Sequence, residues 1–498
     1  MVESNSKVLQ QKPHAMLLSY PLQGHVIPSV HLAYKLAENG FAVTFVNTQS
    51  VHRHLSKSNA NNNHRGGGGD DIFAGIRERA GLNIRYLAIP DGLPVEWDRS
   101  ENHDQFLAAL LHVYSAHVEE ALRGLLKSTD GGPPVNCLIA DSFFVFPGKL
   151  AKKYNLLYIS FWTEPALVFT LYYHLHLLRL HGHYDRKDSD AGAGGEEVIN
   201  YVPGVESIRR RDLMSYLQAK DTATVCHQII DAAFDDVRDA DFVLCNTVHE
   251  LEPHTIAALE KKMKFYAMGP IFPPAFSASP VATSLWSESD CSRWLGSNPP
   301  GSVLYVSFGS YAHLSKPDLL EIAFGLSLSG ANFLWALRPD MVCSGDQNPL
   351  PPDLTEEISG RGMIVPWCNQ KQVLGHPAIG GFLTHCGWNS TLEGIWCHVP
   401  LLCFPLLTDQ FTNRKLIVDD WKCGLNLCDE TPVSRAEISE KVKRIMGGKS
   451  SEALRDAVKR VKKTMEDALF SKNGSSQENM GRFIKDVNLA VQNKVTIS

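Results

Sequence analysis

The 498-residue sequence has no uninterrupted apolar run long enough to span a bilayer. Its nearest approach, PALVFTLYYHLHLLRLHG, is interrupted by His174, His176 and Arg179 and reads as an amphipathic helix. There is no excess of basic charge. Against 54 Asp and Glu stand 48 Lys and Arg, a formal net charge of −6. That balance argues against a general nucleic-acid surface and leaves room for a local pocket for a small anion. The 11 cysteines show no C-x-x-C spacing, and Cys423 and Cys428 are too far apart for the usual zinc pattern. They read as thiols in a reducing compartment. The opening residues MVESNSKVLQQKP lack the apolar stretch of a signal peptide, and the closing KVTIS carries no retention or prenylation signal, so a cytoplasmic protein is expected. The sequons at Asn389 and Asn473 then read as chance matches. No G-x-G-x-x-G follows the first strand of either half, which removes the dinucleotide fingerprint. No G-x-S-x-G is present, which removes the hydrolase elbow.

What is present is alternation. HAMLLSY reads as a short buried strand, HVIPSVHLAYKLAENG as a helix stopped by Gly40, and FAVTFVN as the next strand. VNCLIADS, FPGKLAKKYN and LLYISFW repeat the pattern, which predicts a parallel sheet covered by helices. Two polar, glycine-rich insertions, SNANNNHRGGGGDD and DSDAGAGGEE, read as surface loops. FYAMGPIFPPAFSASPVATS is a linker by composition, and after it the alternation restarts with GSVLYVSFGS, a helix capped by Ser315 and ending near Gly330, then NFLWALRP and RGMIVPW. The predicted organisation is a first α/β domain over 1–268, a linker near 269–288, a second α/β domain over 289–480, and a terminal helix over 481–498. Ligands of such sheets sit at the carboxyl ends of the strands, so the expected site is the cleft between two facing sheets.

The stretch FLTHCGWNSTLEG turns an apolar strand into a helix. Ser390 and Glu393 stand in the S-x-x-E spacing of a capping box. Free N–H groups at a helix start favour phosphate, Gly387 permits close backbone approach, and His385, Asn389 and Ser390 are potential donors. The same residues would equally suit a self-capped helix with His385 as a core histidine. Upstream, Trp367 offers a flat face for a base and Gln370 a group to read its edge or the ribose. Downstream, Asp409 and Gln410 suit sugar hydroxyls.

This window, W-x-x-Q, then H-P-A-x-G-G-F-x-T-H-C-G-W-N-S-x-x-E, then P, then D-Q, resembles the donor signature of plant UDP-glycosyltransferases, the plant secondary product glycosyltransferase box. The resemblance runs from the G-H-x-x-P near the start to the last helices. It implies two facing Rossmann-like domains of GT-B type with the donor in the cleft. It further implies that Trp367 stacks on uracil with Cys368 beside it, that Gln370 supports the ribose or base, and that Glu393 binds the ribose hydroxyls. His385, Asn389 and Ser390, with Gly387 and with Ser310 at the end of VSFGS, would hold the diphosphate. Trp388, Asp409 and Gln410 would contact the sugar, and glutamine at 410 goes with glucose. His25 in YPLQGHVIPSV matches the catalytic histidine, Asp141 in CLIADS the aspartate that orients it, and Thr163 a position near the donor sugar.

Such a pair suits the chemistry. An alcohol is a poor nucleophile at neutral pH, and an imidazole with a pKa near 6.5 can take its proton as the C–O bond forms. A carboxylate on the other ring nitrogen fixes the tautomer. The expected reaction is inverting transfer of a hexose from a UDP-sugar, UDP-glucose by preference, to a hydroxyl or carboxyl of a small lipophilic acceptor, without covalent intermediate, metal or other cofactor. The D-x-D at Asp188–Asp190 lies in a glycine-rich loop with no strand before it, unlike a metal-holding motif. A monomer is expected. Two departures stand out: His398, where the family has glycine, and Asn369, in place of proline or cysteine. His398 could crowd the donor pocket, which leaves a sugar-nucleotide binder with impaired catalysis as the alternative. The acceptor wall falls around PDGLPVEWDRS, SFFVFP and FWTEPALVF, with Phe143, Phe144, Phe161 and Trp162 as candidate lining.

Overall fold

The alternation folds into two parallel sheets. The computed structural model describes residues 12–61, 71–128, 132–185, 195–273, 276, 281, 283–342, 350–358, 360–429 and 432–497. Most of both glycine-rich insertions, the Asp188–Asp190 triplet and part of the linker lie outside these residues.

The first sheet has seven strands in the spatial order Ile84–Ile89, Ala42–Thr48, His14–Leu18, Cys137–Asp141, Leu157–Trp162, Phe242–Cys245 and Phe265–Ala267. The second has six: Gly362–Val365, Asn332–Ala336, Val303–Ser307, Ile379–Thr384, Leu401–Cys403 and Gly424–Asn426. The central strands HAMLL, CLIAD, LYISFW and IGGFLT are buried at every position. That is the signature of parallel strands covered on both faces, where apolar residues run on instead of alternating. Ser315 starts the helix Lys316–Ser329 by accepting the Asp318 N–H, and Gly330 ends it at φ 71°.

PALVFTLYYHLHLLRLHG departs from expectation. It forms two helices, Ala166–Tyr173 and Leu175–Leu180, and Ala166 to Tyr172 are all buried. The first helix is core, whereas the second has the expected amphipathic character, with Leu175 and Leu178 buried and His176 and Arg179 exposed. The segment breaks where the His174 Nδ1 lies 2.9 Å from the Thr170 carbonyl, and its start is held by Glu252, whose carboxylate accepts the N–H groups of Ala166 and Leu167 at 3.0 and 2.7 Å. Among the described residues no helix is long and apolar enough to cross a membrane.

The terminal helix, Ser475–Ile497, begins before residue 481 and lies against the first sheet. Phe483 stacks on Phe41 at 6.3 Å and meets Phe242 edge-on at 6.0 Å. The Asn479 amide donates to the Ala267 carbonyl at 2.7 Å.

Candidate active site

Three neighbouring strand ends build one wall. Strand His14–Leu18 turns through Leu22 into the helix Gln23–Glu38, which places His25 in its first turn. The adjacent strand ends at Asp141, and the one beyond it at Trp162, one residue before Thr163. Sheet order therefore joins residues far apart in sequence. The His25 Nδ1 lies 2.7 Å from Asp141 Oδ2 and 3.0 Å from Thr163 Oγ1. Asp141 is itself held, its Oδ1 accepting the Phe143 N–H at 3.0 Å. With Nδ1 committed to the carboxylate, Nε2 remains the basic nitrogen, and His25 lines the cleft. Tyr20 and Phe143 flank the imidazole, with ring centroids 5.4 and 5.8 Å away. Thr163 thus touches the imidazole itself.

The facing wall comes from the second sheet. Strand Ile379–Thr384 passes through His385, Cys386 and Gly387 into the helix Trp388–Trp396. Gly387 is the residue before the first helical turn, and no side chain caps that end. The capping box read from Ser390 and Glu393 therefore does not form. The helix starts three residues earlier than that spacing implied, its N-cap being Gly387 and not Ser390, and both side chains turn to Gln370, whose amide donates to Glu393 Oε2 at 2.7 Å and to Ser390 Oγ at 3.1 Å. Gly309 and Gly387 are required by a close approach: a Cβ there would stand 2.4 and 2.6 Å from His385 Nε2. Gly309 also has φ +75°. Burial, assisted by the Arg338 charge, lowers the His385 pKa to about 4, so the ring is neutral at pH 7.

Asp409 and Gln410 follow strand Leu401–Cys403. Asp409 accepts from Thr408 Oγ1 at 2.6 Å and from the Asn413 amide at 2.5 Å. The Gln410 Oε1 accepts the N–H groups of Leu406 and Leu407 at 2.9 and 3.0 Å, which leaves its NH₂ as the free end. Two neighbours bridge the walls. The Asn389 amide donates to the Gly24 carbonyl at 2.7 Å, and the Trp388 indole N–H to the Asn246 carbonyl at 2.7 Å.

One cleft takes in His25, Thr163, Ser310, His385, Gly387, Trp388, Asn389, Asp409 and Gln410. Trp367, Cys368, Gln370, Ser390 and Glu393 are not on its wall. Gln370, Ser390 and Glu393 form their own hydrogen-bonded cluster, while Trp367 is 8% exposed with its ring centroid 6.1 Å from Trp286. The Cys368 side chain points away into the core, its sulfur 3.6 Å from the Tyr305 hydroxyl. Asn369 has a structural role, its side chain accepting the Gln372 N–H at the start of the helix Gln370–Leu374.

His398 does not reach the cleft. It is exposed, with φ 62°, directly after the helix Trp388–Trp396. Its N–H bonds the Ile395 carbonyl and the next N–H, Val399, bonds Gly394, both at 3.0 Å. That is a Schellman ending, whose left-handed position favours glycine for backbone reasons. Its imidazole is therefore not among the groups that line this cleft. Sequence reading missed Glu164, Tyr20, Tyr172, Tyr216, Tyr311 and His103 on the cleft wall. Glu164 alone left a signal, a carboxylate directly after an apolar strand and beside Thr163.

The chain is similar to known proteins in sequence and in fold. The profile described as UDP-glucoronosyl and UDP-glucosyl transferase matches residues 259–460. UDP-glycosyltransferase 86A1 of Arabidopsis thaliana is 51% identical, covering 97% of this chain and 96% of its own length. The 7-deoxyloganetin glucosyltransferase of Catharanthus roseus is 33% identical over 97% of this chain and 98% of its own. Among solved structures, Os79 from O. sativa in complex with UDP has a TM-score of 0.76 at 25% identity, covering 95% of this chain and 100% of that one.

Proposed function

Because the chain belongs to the plant UDP-glycosyltransferase family, and so is a UDP-dependent glycosyltransferase, we propose that it transfers glucose from UDP-glucose to a hydroxyl of a small lipophilic acceptor with inversion. His25 is the general base and Asp141 orients it. The observation that carries the reading is the 2.7 Å contact between His25 Nδ1 and Asp141 Oδ2, on the wall that faces the start of the helix Trp388–Trp396 and the Asp409–Gln410 pair.

The acceptor hydroxyl loses its proton to His25 Nε2 as its oxygen attacks the anomeric carbon from the face opposite UDP. The imidazolium that forms is stabilised by Asp141. Negative charge grows on the departing diphosphate, where the uncapped N–H groups of the helix Trp388–Trp396 and the polar groups of Ser310 and Asn389 receive it. His385, neutral by burial, contributes hydrogen bonding and shape there and no positive charge. Asp409 and the free NH₂ of Gln410 address the sugar hydroxyls. Trp367, Gln370 and Glu393 hold the uridine, with Glu393 exchanging its Gln370 contact for the ribose. Glucose is supported by Gln410 and by relatives whose names specify glucosyl transfer, such as the 7-deoxyloganetin glucosyltransferases. No step is assigned to a metal, and excess chelator is expected to leave the rate unchanged.

Incubation with UDP-glucose and a panel of phenolic and terpenoid alcohols, read by mass spectrometry beside His25→Ala, tests the reading. Hexosylated products that disappear in the variant support it. Products formed equally by the variant would overturn the role of His25.

A further inference from the structure

The loop after strand Val303–Ser307 brings two neighbouring residues to the cleft, Ser310 and Tyr311, and the transfer described above uses only Ser310. The loop backbone is clamped from behind. The Arg338 guanidinium, 0% exposed, donates to the Gly309 carbonyl and, at 2.8 Å, to the Ala312 carbonyl, and it pairs with Asp340 at 2.9 Å. Tyr311 therefore stands on a fixed support. Its hydroxyl is hydrogen-bonded to Nδ1 of His103, the first residue of the helix His103–His112 in the first domain, and the two ring centroids are 5.5 Å apart. Burial lowers the pKa of His103, so its neutral ring can accept the Tyr311 O–H. The surroundings of this bond belong to the base and not to the donor. The Tyr311 hydroxyl is within electrostatic reach of the Cys226 thiol and the Tyr20 hydroxyl, and the Tyr20 ring lies 5.4 Å from that of His25. Leu107, one turn beyond His103, lines the same cleft. None of these residues is among the groups assigned to the UDP-sugar.

We propose that Tyr311, bonded to His103, is a positioning residue for the acceptor: a side chain of the second domain that holds the helix His103–His112 in place and so completes the acceptor wall beside His25. This rests on the transferase reading above and adds to it a contact between the domains on which acceptor binding depends. The two residues act as one unit. Tyr311 without its hydroxyl leaves the half-buried His103 Nδ1 unpaired, and His103 without its imidazole leaves the phenol unpaired. Either loss frees the start of the helix, and with it the position of Leu107 on the wall. The donor loop is spared, because Arg338 holds it through two backbone carbonyls that neither substitution touches. The expected signature is therefore a split, with acceptor binding weakened and donor binding kept.

Steady-state kinetics with UDP-glucose as donor and 4-methylumbelliferone as the acceptor probe test this in four proteins: wild type, Tyr311→Phe, His103→Phe and the double variant. Each single change is expected to raise KM for the probe by about three- to tenfold, the worth of one hydrogen bond, with KM for UDP-glucose within about twofold of wild type. The double variant is expected to cost no more than either single one, because both remove the same bond. His103→Gln, whose side-chain oxygen can accept the Tyr311 O–H, is expected to recover part of the loss. A role in stability alone would lower the melting temperature without this split. A Tyr311→Phe protein with unchanged KM for the probe, a donor KM that rises as much as the acceptor KM, or losses that add in the double variant overturn the proposal. If the wild type transfers sugar neither to the probe nor to the alcohol panel above, the transferase reading fails. Amide hydrogen exchange in the helix His103–His112 then decides the role of Tyr311: exchange about three- to tenfold faster in Tyr311→Phe supports it, and unchanged exchange overturns it.

Discussion

A histidine serves as a base at one nitrogen when the other is committed, and Asp141 commits Nδ1 of His25. Asp141→Asn would keep the packing and let an amide N–H face that nitrogen, favouring the wrong tautomer. Steady-state kinetics should show kcat reduced by about 10²- to 10⁴-fold with KM for the donor little changed. His385 gives a pH signature instead. Its folded pKa is lowered to about 4 by burial, whereas an unfolded histidine titrates near 6.5. Between these values the unfolded chain binds a proton that the folded chain refuses. Stability from this group is therefore full above 6.5 and is lost as pH falls through the window. The buried carboxyls of Glu393 and Asp409 shift upward and oppose the trend, so the difference between proteins is the useful quantity. Denaturant unfolding should show wild type losing up to about 3 kcal/mol more than His385→Asn between pH 6.5 and 4. His398 separates backbone from chemistry. His398→Gly relieves a left-handed residue at an exposed turn, and should raise stability by up to about 1 kcal/mol with turnover unchanged.

At the scale of elements, the helix Trp388–Trp396 suits the proposed donor role only because glycine precedes it. A Cβ at Gly387 would collide with the His385 ring, which Gly309 also approaches closely. Gly387→Ala should weaken UDP binding measured by calorimetry at least about tenfold, roughly 1.4 kcal/mol, while its φ of −59° spares the backbone itself. This element also marks how far the sequence could be read. Its strand was legible because IGGFLT is apolar throughout, whereas the glycine, histidine and asparagine at its corner suited a phosphate and a self-capped helix alike, and only the family resemblance pointed to a donor. Its first helical residue was not legible. The S-x-x-E spacing describes a cap, and only the fold reveals that Gln370, from another element, claims both side chains. The run from Ala166 was misread for a related reason. Its polar residues lie beyond Tyr173, so averaging over the whole run invents an amphipathic face that the first helix does not have. Glu164 left only its place directly after an apolar strand as a signal, and that it lines the cleft is visible only in the fold.

At the scale of the molecule, the cleft depends on the two sheets keeping their relative positions, and the contacts that do so join residues that no local pattern connects. Ser215 N donates to the Thr408 carbonyl at 3.0 Å and the Thr408 N–H to Ser215 Oγ at 2.8 Å. Thr412 Oγ1 donates to the Asp212 carbonyl at 2.7 Å, and Arg414 pairs with the Asp212 carboxylate, which is 1% exposed. All four belong to the seam that carries Asp409 and Gln410, since Arg414 lies on the helix Gln410–Lys415. Asp212→Asn would leave the buried Arg414 guanidinium with Asp419, at 3.4 Å, as its remaining charged partner. Breaking a buried pair in this way costs about 3–5 kcal/mol, and the residual contact places this case near the lower end. The seam would loosen before either sheet unfolds, so KM for the UDP-sugar should rise more than kcat falls, together with a lowered melting temperature. Asp212→Leu combined with Arg414→Met removes both charges and should recover much of the melting temperature, because an apolar pair of similar volume replaces the ion pair without desolvation cost. A single Asp212→Asn protein with unchanged melting and unchanged KM would show that the seam is held elsewhere.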